Sequence, residues 1–166
     1  QSLIEVDITR GNLDPLPIAV SPLHVDTQSE KYKDQKVKEL GNLISSVIEK
    51  NFKSTGLFNP LNKDAFVQKP DIAHLKPRFE DWRLITAQAL VTGKLLIKDD
   101  KLKVEFRLWD LAASQEMVAL SFTTTPSNWR RVAHIISVAL ANRPQLPDYK
   151  SLLWGVPYHK HNVISI

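Results

Sequence analysis

Apolar side chains recur at three- and four-residue spacing from Val37 through Leu40, Leu43, Ile44, Val47, Ile48 and Phe52. That spacing places them on one face of an amphipathic helix. Upstream, Thr27-Gln28-Ser29-Glu30 fits a capping box, so the helix is predicted to begin near Thr27. Gly56 can take the left-handed conformation that ends it. Ahead of the helix, Pro17-Ile18-Ala19-Val20-Ser21-Pro22 is a short apolar run between prolines and reads as a first buried strand. Behind it, Leu57 to Leu61 reads as a second strand. Together they make a βαβ unit, for which the parallel, right-handed arrangement is expected.

The pattern then changes period. Asn62 to Lys76 is polar and contains Pro70, which predicts a loop closed by a short helix, with Pro77 at or near its first position and Phe79 and Trp82 facing inward. Ala87 to Ile97 reads as a strand, Lys98-Asp99-Asp100 as a turn and Lys101 to Trp109 as the returning strand. In that strand Leu102, Val104, Phe106 and Leu108 alternate with Lys101, Lys103, Glu105 and Arg107, so one face is buried and the other wet. Glu116 to Thr123 supplies a fifth strand, and Thr125-Pro126 opens a last helix with the stripe Trp129, Val132, Ala133, Ile136 and Leu140. These elements predict an α/β fold, a three-layer sandwich around a mixed five-stranded sheet. The organisation expected is an arm over residues 1–16, one domain over 17–141 and a tail over 142–166.

Composition narrows the classes of function. The 166 residues are 43% apolar and 24% charged, the proportions of a globular domain. No apolar run nears the roughly 20 residues that span a bilayer as a helix, so direct membrane insertion is not expected. The absence of cysteine excludes thiol catalysis, disulfides and thiolate metal sites. The net charge of +4 comes from intermixed signs rather than from a basic stripe. With neither a starting methionine nor an apolar leader, the chain is expected to be a processed secreted protein or an excised piece.

Candidate chemistry is sparse. Phosphate-cradling loops, nucleophile elbows and zinc helices are missing from the sequence. His24-Val25-Asp26 and Asp71-Ile72-Ala73-His74, both in expected loops next to prolines, each offer a histidine that a carboxylate could orient as a general base, but a solvated or capping role is the simpler reading of both. His159 and His161 in "YHKH" could hold a divalent ion weakly; beside Lys160 in a tail with three prolines they read better as unstructured. His134 reads as structural, and Trp82, Trp109 and Trp129 as packing residues. Arg130 and Arg131 beside Trp129, with Lys101, Lys103 and Arg107 on the wet strand face, could form a nucleic-acid surface. No metal, cofactor or small-molecule substrate is expected, and no enzyme.

The beginning of the chain carries the strongest functional signal. Leu3, Ile4, Val6 and Ile8 alternate with Glu5, Asp7 and Thr9; Arg10 follows, and then the hinge Gly11-Asn12-Leu13-Asp14. Such a segment can add its backbone to a sheet edge on another protein. It can equally dock as an edge strand of its own domain.

Four ordered pieces of the chain resemble the amino-terminal domain of the TolB family: "IEVDITRGNLDPLPIAVSPL", "STGLFNPL", Trp82 with "ALVTGKL" and "VEFRLWDLAASQ", and "WRRVAHIIS". The resemblance covers about residues 3–137. It implies a periplasmic, non-catalytic adaptor of the Tol-Pal envelope-integrity and cell-division system, with Leu3 through Asp14 engaging a TolA-like inner-membrane partner. The family continues into a β-propeller that binds Pal, whereas "VALANRPQLPDYKSLLWGVPYHKHNVISI" matches none of it, so Pal binding is expected only if a propeller is supplied. An out-of-frame ending after Ser137, a split gene or a lineage-specific tail would each account for that break. The sandwich is also similar to anticodon-binding domains, which leaves a small nucleic-acid-binding module as the alternative.

Overall fold

A computed structural model describes residues 14–27, 35–141 and 162–165. Leu16–Val20 forms β1 and Phe58–Pro60 forms β3, parallel neighbours joined across the helix α2, Leu40–Thr55. The expected βαβ connection is therefore present. Gly56 stops α2 at φ 74°, with its N–H on the Lys53 carbonyl at 3.2 Å. The apolar stripe buries Leu40, Ile44, Ile48 and Phe52, while Leu43, expected in the core, is 41% exposed. Each fully buried side chain of this kind contributes roughly 1.5–3 kcal/mol.

β4 (Ala89–Lys98) and β5 (Lys101–Asp110) form the predicted hairpin. Its two-residue loop places Asp99 and Asp100 at φ 52° and 59°, as a primed turn requires. β6 (Gln115–Thr124) returns antiparallel to β5, with a bulge between Leu108 and Trp109. The order across the sheet is β3-β1-β4-β5-β6, as expected of a mixed sheet. Among the described residues the sheet has seven strands rather than five.

The two additions fall where loop and tail were expected. β2, His24–Thr27, runs parallel to the second half of β4 because β4 has 10 residues and β1 only 5. The backbone groups of β4 beyond Val91 need partners, and β2 supplies them. β7, Asn162–Ser165, lies parallel to β6. Thr27, expected to cap the long helix, instead closes β2, and the rest of that capping box lies outside the described residues. The helical region is described from α1, Gln35–Lys38, and breaks at Glu39 before α2.

Two cores lie on opposite faces of the sheet. On the first, α2 and α5 (Trp129–Ala141) cover Ile18, Val20, Val91, Leu95, Val104, Phe106, Leu120 and Phe122. On the second, Ala19, Leu90 and Trp109 meet Ala73 and Trp82 from two short helices, α3 (Pro70–Ala73) and α4 (Phe79–Arg83). Helices on both faces make three layers. Pro70, not Pro77, occupies the opening position of a helical turn, and α4 begins after Arg78. The Gln68 side chain ties the second layer together: its Oε1 accepts from Trp82 Nε1 at 2.9 Å and from the Arg78 N–H at 3.0 Å.

Close approach of α2 to the sheet depends on glycine. The N–H of Leu23, between β1 and β2, donates to the Gly41 carbonyl at 3.2 Å, and the Leu23 side chain rests against Gly93 of β4. Lys63, in a single 3-10 turn after β3, then clamps the same layer by donating to Ser45 Oγ at 2.7 Å and pairing with Glu49 of α2.

Candidate functional site: the base of the arm and the histidine pair

The first residue described is Asp14, exposed beside exposed Pro15, and both lead directly into β1. Residues Leu3 to Leu13 of the predicted arm lie outside the described residues, as do His159 and His161. The root of the arm is held on both sides. Leu16 N–H donates to the Leu57 carbonyl at 2.9 Å, and Gln88 N–H to the Pro17 carbonyl at 2.9 Å. β1 is thus an interior strand, flanked by β3 and β4.

The histidines do not form the carboxylate pairs the sequence suggested. Strand β2 turns His24 to the second sheet face, in register with Lys94 of β4, and α3 ends by delivering His74 onto it. The two imidazoles stack with centroids 4.7 Å apart and planes 2° from parallel. Asp26 reaches across to Lys94 at 3.6 Å instead. Burial, with His24, Lys94 and Arg107 as positive neighbours, lowers the pKa of His74 from the ordinary 6.5, against a smaller opposing pull from Asp71. Beside His24 opens a cleft of about 350 Å³, bordered among others by Lys38, Asn42, Lys69 and Asp71. Spacing alone does not reveal this pairing, because it joins a strand read as a loop to a helical turn some fifty positions later.

His134 sits apart from this cluster. It is on α5, over the first sheet face, where its Nδ1 accepts from Asn51 Nδ2 at 3.1 Å; the same amide donates to Ser137 Oγ at 3.0 Å. Asn51 thereby joins α2 to α5, a structural role. Replacing Asn51 with alanine is expected to cost about 1 kcal/mol in chemical denaturation, and no measurable loss would show that the two bonds carry nothing. His24 and His74 on one face and His134 on the other cannot serve one reaction centre. Among the described residues, no cluster of three or more metal-ligating side chains occurs.

The cations proposed for nucleic acid are likewise divided. Lys101, Lys103 and Arg107 alternate with Leu102, Val104 and Phe106 and so face the second side, whereas α5 carries Arg130 and Arg131 over the first. Arg107 is held by Glu116 at 2.8 Å, Lys103 lies 3.5 Å from Glu105, and the Arg130 guanidinium covers the Trp129 ring at 4.8 Å. Trp82 and Trp109 are buried, with their N–H groups on Gln68 and Thr92. Among the described residues, no continuous basic, ring-bearing strip results.

Comparison with known proteins agrees with this arrangement. A Tol-Pal system protein TolB from Pelagibacter ubique (strain HTCC1062) is 64% identical over 138 residues, which is 82% of this chain but 31% of that protein. The crystal structure of TolB from Acinetobacter baumannii superposes with a TM-score of 0.60 at 19% identity, covering 87% of this chain and 29% of that one. The chain thus spans about a third of the length of these two TolB proteins. These matches support neither the anticodon-binding likeness nor the nucleic-acid alternative. No described helix is long and apolar enough to cross a membrane. The family model for the TolB amino-terminal domain matches residues 4–117, more than half of the chain, and the chain belongs to that family.

Proposed function

We propose that the chain is a non-catalytic adaptor domain of the Tol-Pal envelope system, working in the periplasm, whose residues Leu3 to Asp14 engage a TolA-like partner. The 64% identity to a Tol-Pal system protein is the observation that carries this reading. The family match begins at residue 4, inside the arm, so the arm is part of what this chain shares with its relatives. The chemistry suits the role: an alternating segment rooted in an internal strand presents main-chain donors and acceptors, while its apolar and acidic side chains select the partner. The division proposed is an arm over 1–16, the α/β domain over 17–141 and a tail over 142–166. Pal binding would require the propeller of the longer relatives.

Removing residues 1–14 is expected to leave the thermal unfolding midpoint within a few degrees while abolishing binding to a TolA-type domain in calorimetry. Ile4→Pro and Val6→Pro in the full chain should weaken binding at least about tenfold, since each removes a backbone donor needed for strand addition. Undiminished binding by either form would end the proposal.

A further inference from the structure

We infer that the stacked His24–His74 pair is a proton-sensitive latch, which holds the α3 turn on the second sheet face when neutral and frees it when both rings are charged. α3 has 4 residues, far too few to persist as an isolated helix, so its position depends on what it packs against. Two attachments are visible: Ala73, fully buried in the second core, and the His74 ring lying on the His24 ring. Parallel imidazoles 4.7 Å apart tolerate one proton between them, but two imidazolium ions at that distance repel.

The surroundings weigh against the second proton. Lys94 of β4 and Arg107 of β5 face His74, and among the described residues only Asp71 of α3 favours its charge. The carboxylates nearest those two cations are already committed, Asp26 to Lys94 and Glu116 to Arg107. On the other side of His24, Lys38 and Lys69 border the cleft with Asp71. The sign follows from the lowered His74 pKa: the released turn binds a proton more tightly than the docked one. Docking is therefore at full strength above the ordinary 6.5 and weakens as pH falls from there through the lowered value. Freed, the turn carries with it Ile72 and Leu75, which are 50% and 67% exposed even when docked.

The test is amide hydrogen exchange of residues 70–75 in the full chain between about pH 7.5 and about pH 5, corrected for intrinsic exchange. Protection should fall at least about tenfold in acid, while the amides of β4 and β5 keep theirs. In the double variant His24→Phe, His74→Phe the stack survives without titrating groups, and the fall should vanish. Imidazole proton titration of the unaltered chain reads the same coupling without substitution, with a charged His24 ring lowering the proton affinity of His74. Equal protection at both pH values, an unchanged pH dependence in the double variant, or two independent titrations would each overturn the inference.

Discussion

Gly41→Ala is expected to lower the free energy of unfolding by about 3 kcal/mol or more, the upper range for overpacking a core. A Cβ at position 41 would lie 1.9 Å from the Leu23 carbonyl oxygen and 2.9 Å from its carbon. Neither is the end of a flexible side chain, so the helix must retreat. Retreat would stretch the Leu23 to Gly41 hydrogen bond and lift Ile44 and Ile48 from the sheet. On its other side Leu23 packs closely on Gly93, where a Cβ would meet the Glu105 carbonyl oxygen at 2.7 Å and Leu23 Cδ2 at 2.8 Å, so a shift of Leu23 toward β4 is opposed as well. Gly56→Ala is the control. It introduces strain at φ 74° but nothing lies within 4 Å, so about 1–2 kcal/mol is expected. Urea midpoints with unchanged slopes would measure both, and a Gly41 variant no worse than the Gly56 variant would refute the close-approach argument.

Trp82→Ala should cost about 3–5 kcal/mol, as expected for emptying a large buried aromatic site. Trp82 is 1% exposed, takes Phe66 edge-on at 4.9 Å, and is the principal volume between α4 and the sheet. Trp82→Phe separates shape from hydrogen bonding. It keeps most of the apolar contact but removes the indole donor, leaving Gln68 Oε1 with the Arg78 N–H alone. A loss of about 1–2 kcal/mol is expected for that change. Thermal unfolding of the three proteins decides between the two contributions. If phenylalanine were as damaging as alanine, the hydrogen bond rather than the packing would be holding this layer.

The parts of the fold legible in the sequence were those where one physical signal acts alone. Alternation in Lys101 to Trp109 gave β5 and its wet face, and the stripe from Leu40 to Phe52 with Gly56 gave α2 and its stop. β2 was missed because His24-Val25-Asp26-Thr27 is an unremarkable local sequence; it becomes a strand only because β4 outruns β1. Leu43 was misplaced because it sits at the angular margin of the apolar stripe, where the helix surface curves away from the sheet and stays in water. The stacked histidines were unreadable for a related reason. Each was visible as a lone residue near an aspartate, but their meeting depends on the register of β2 and on where α3 ends.

Placement of β1 also bears on mechanics. A tether that leaves an edge strand can be peeled away one bond at a time. Here β1 is an interior strand with parallel neighbours on either side, held by Leu16 to Leu57, Leu61 to Ile18, Gln88 to Pro17 and Ser21 to Val91. Tension along the strand axis loads these bonds together in shear, so β1 resists a pull applied at its Leu16 end better than an edge strand of the same length would.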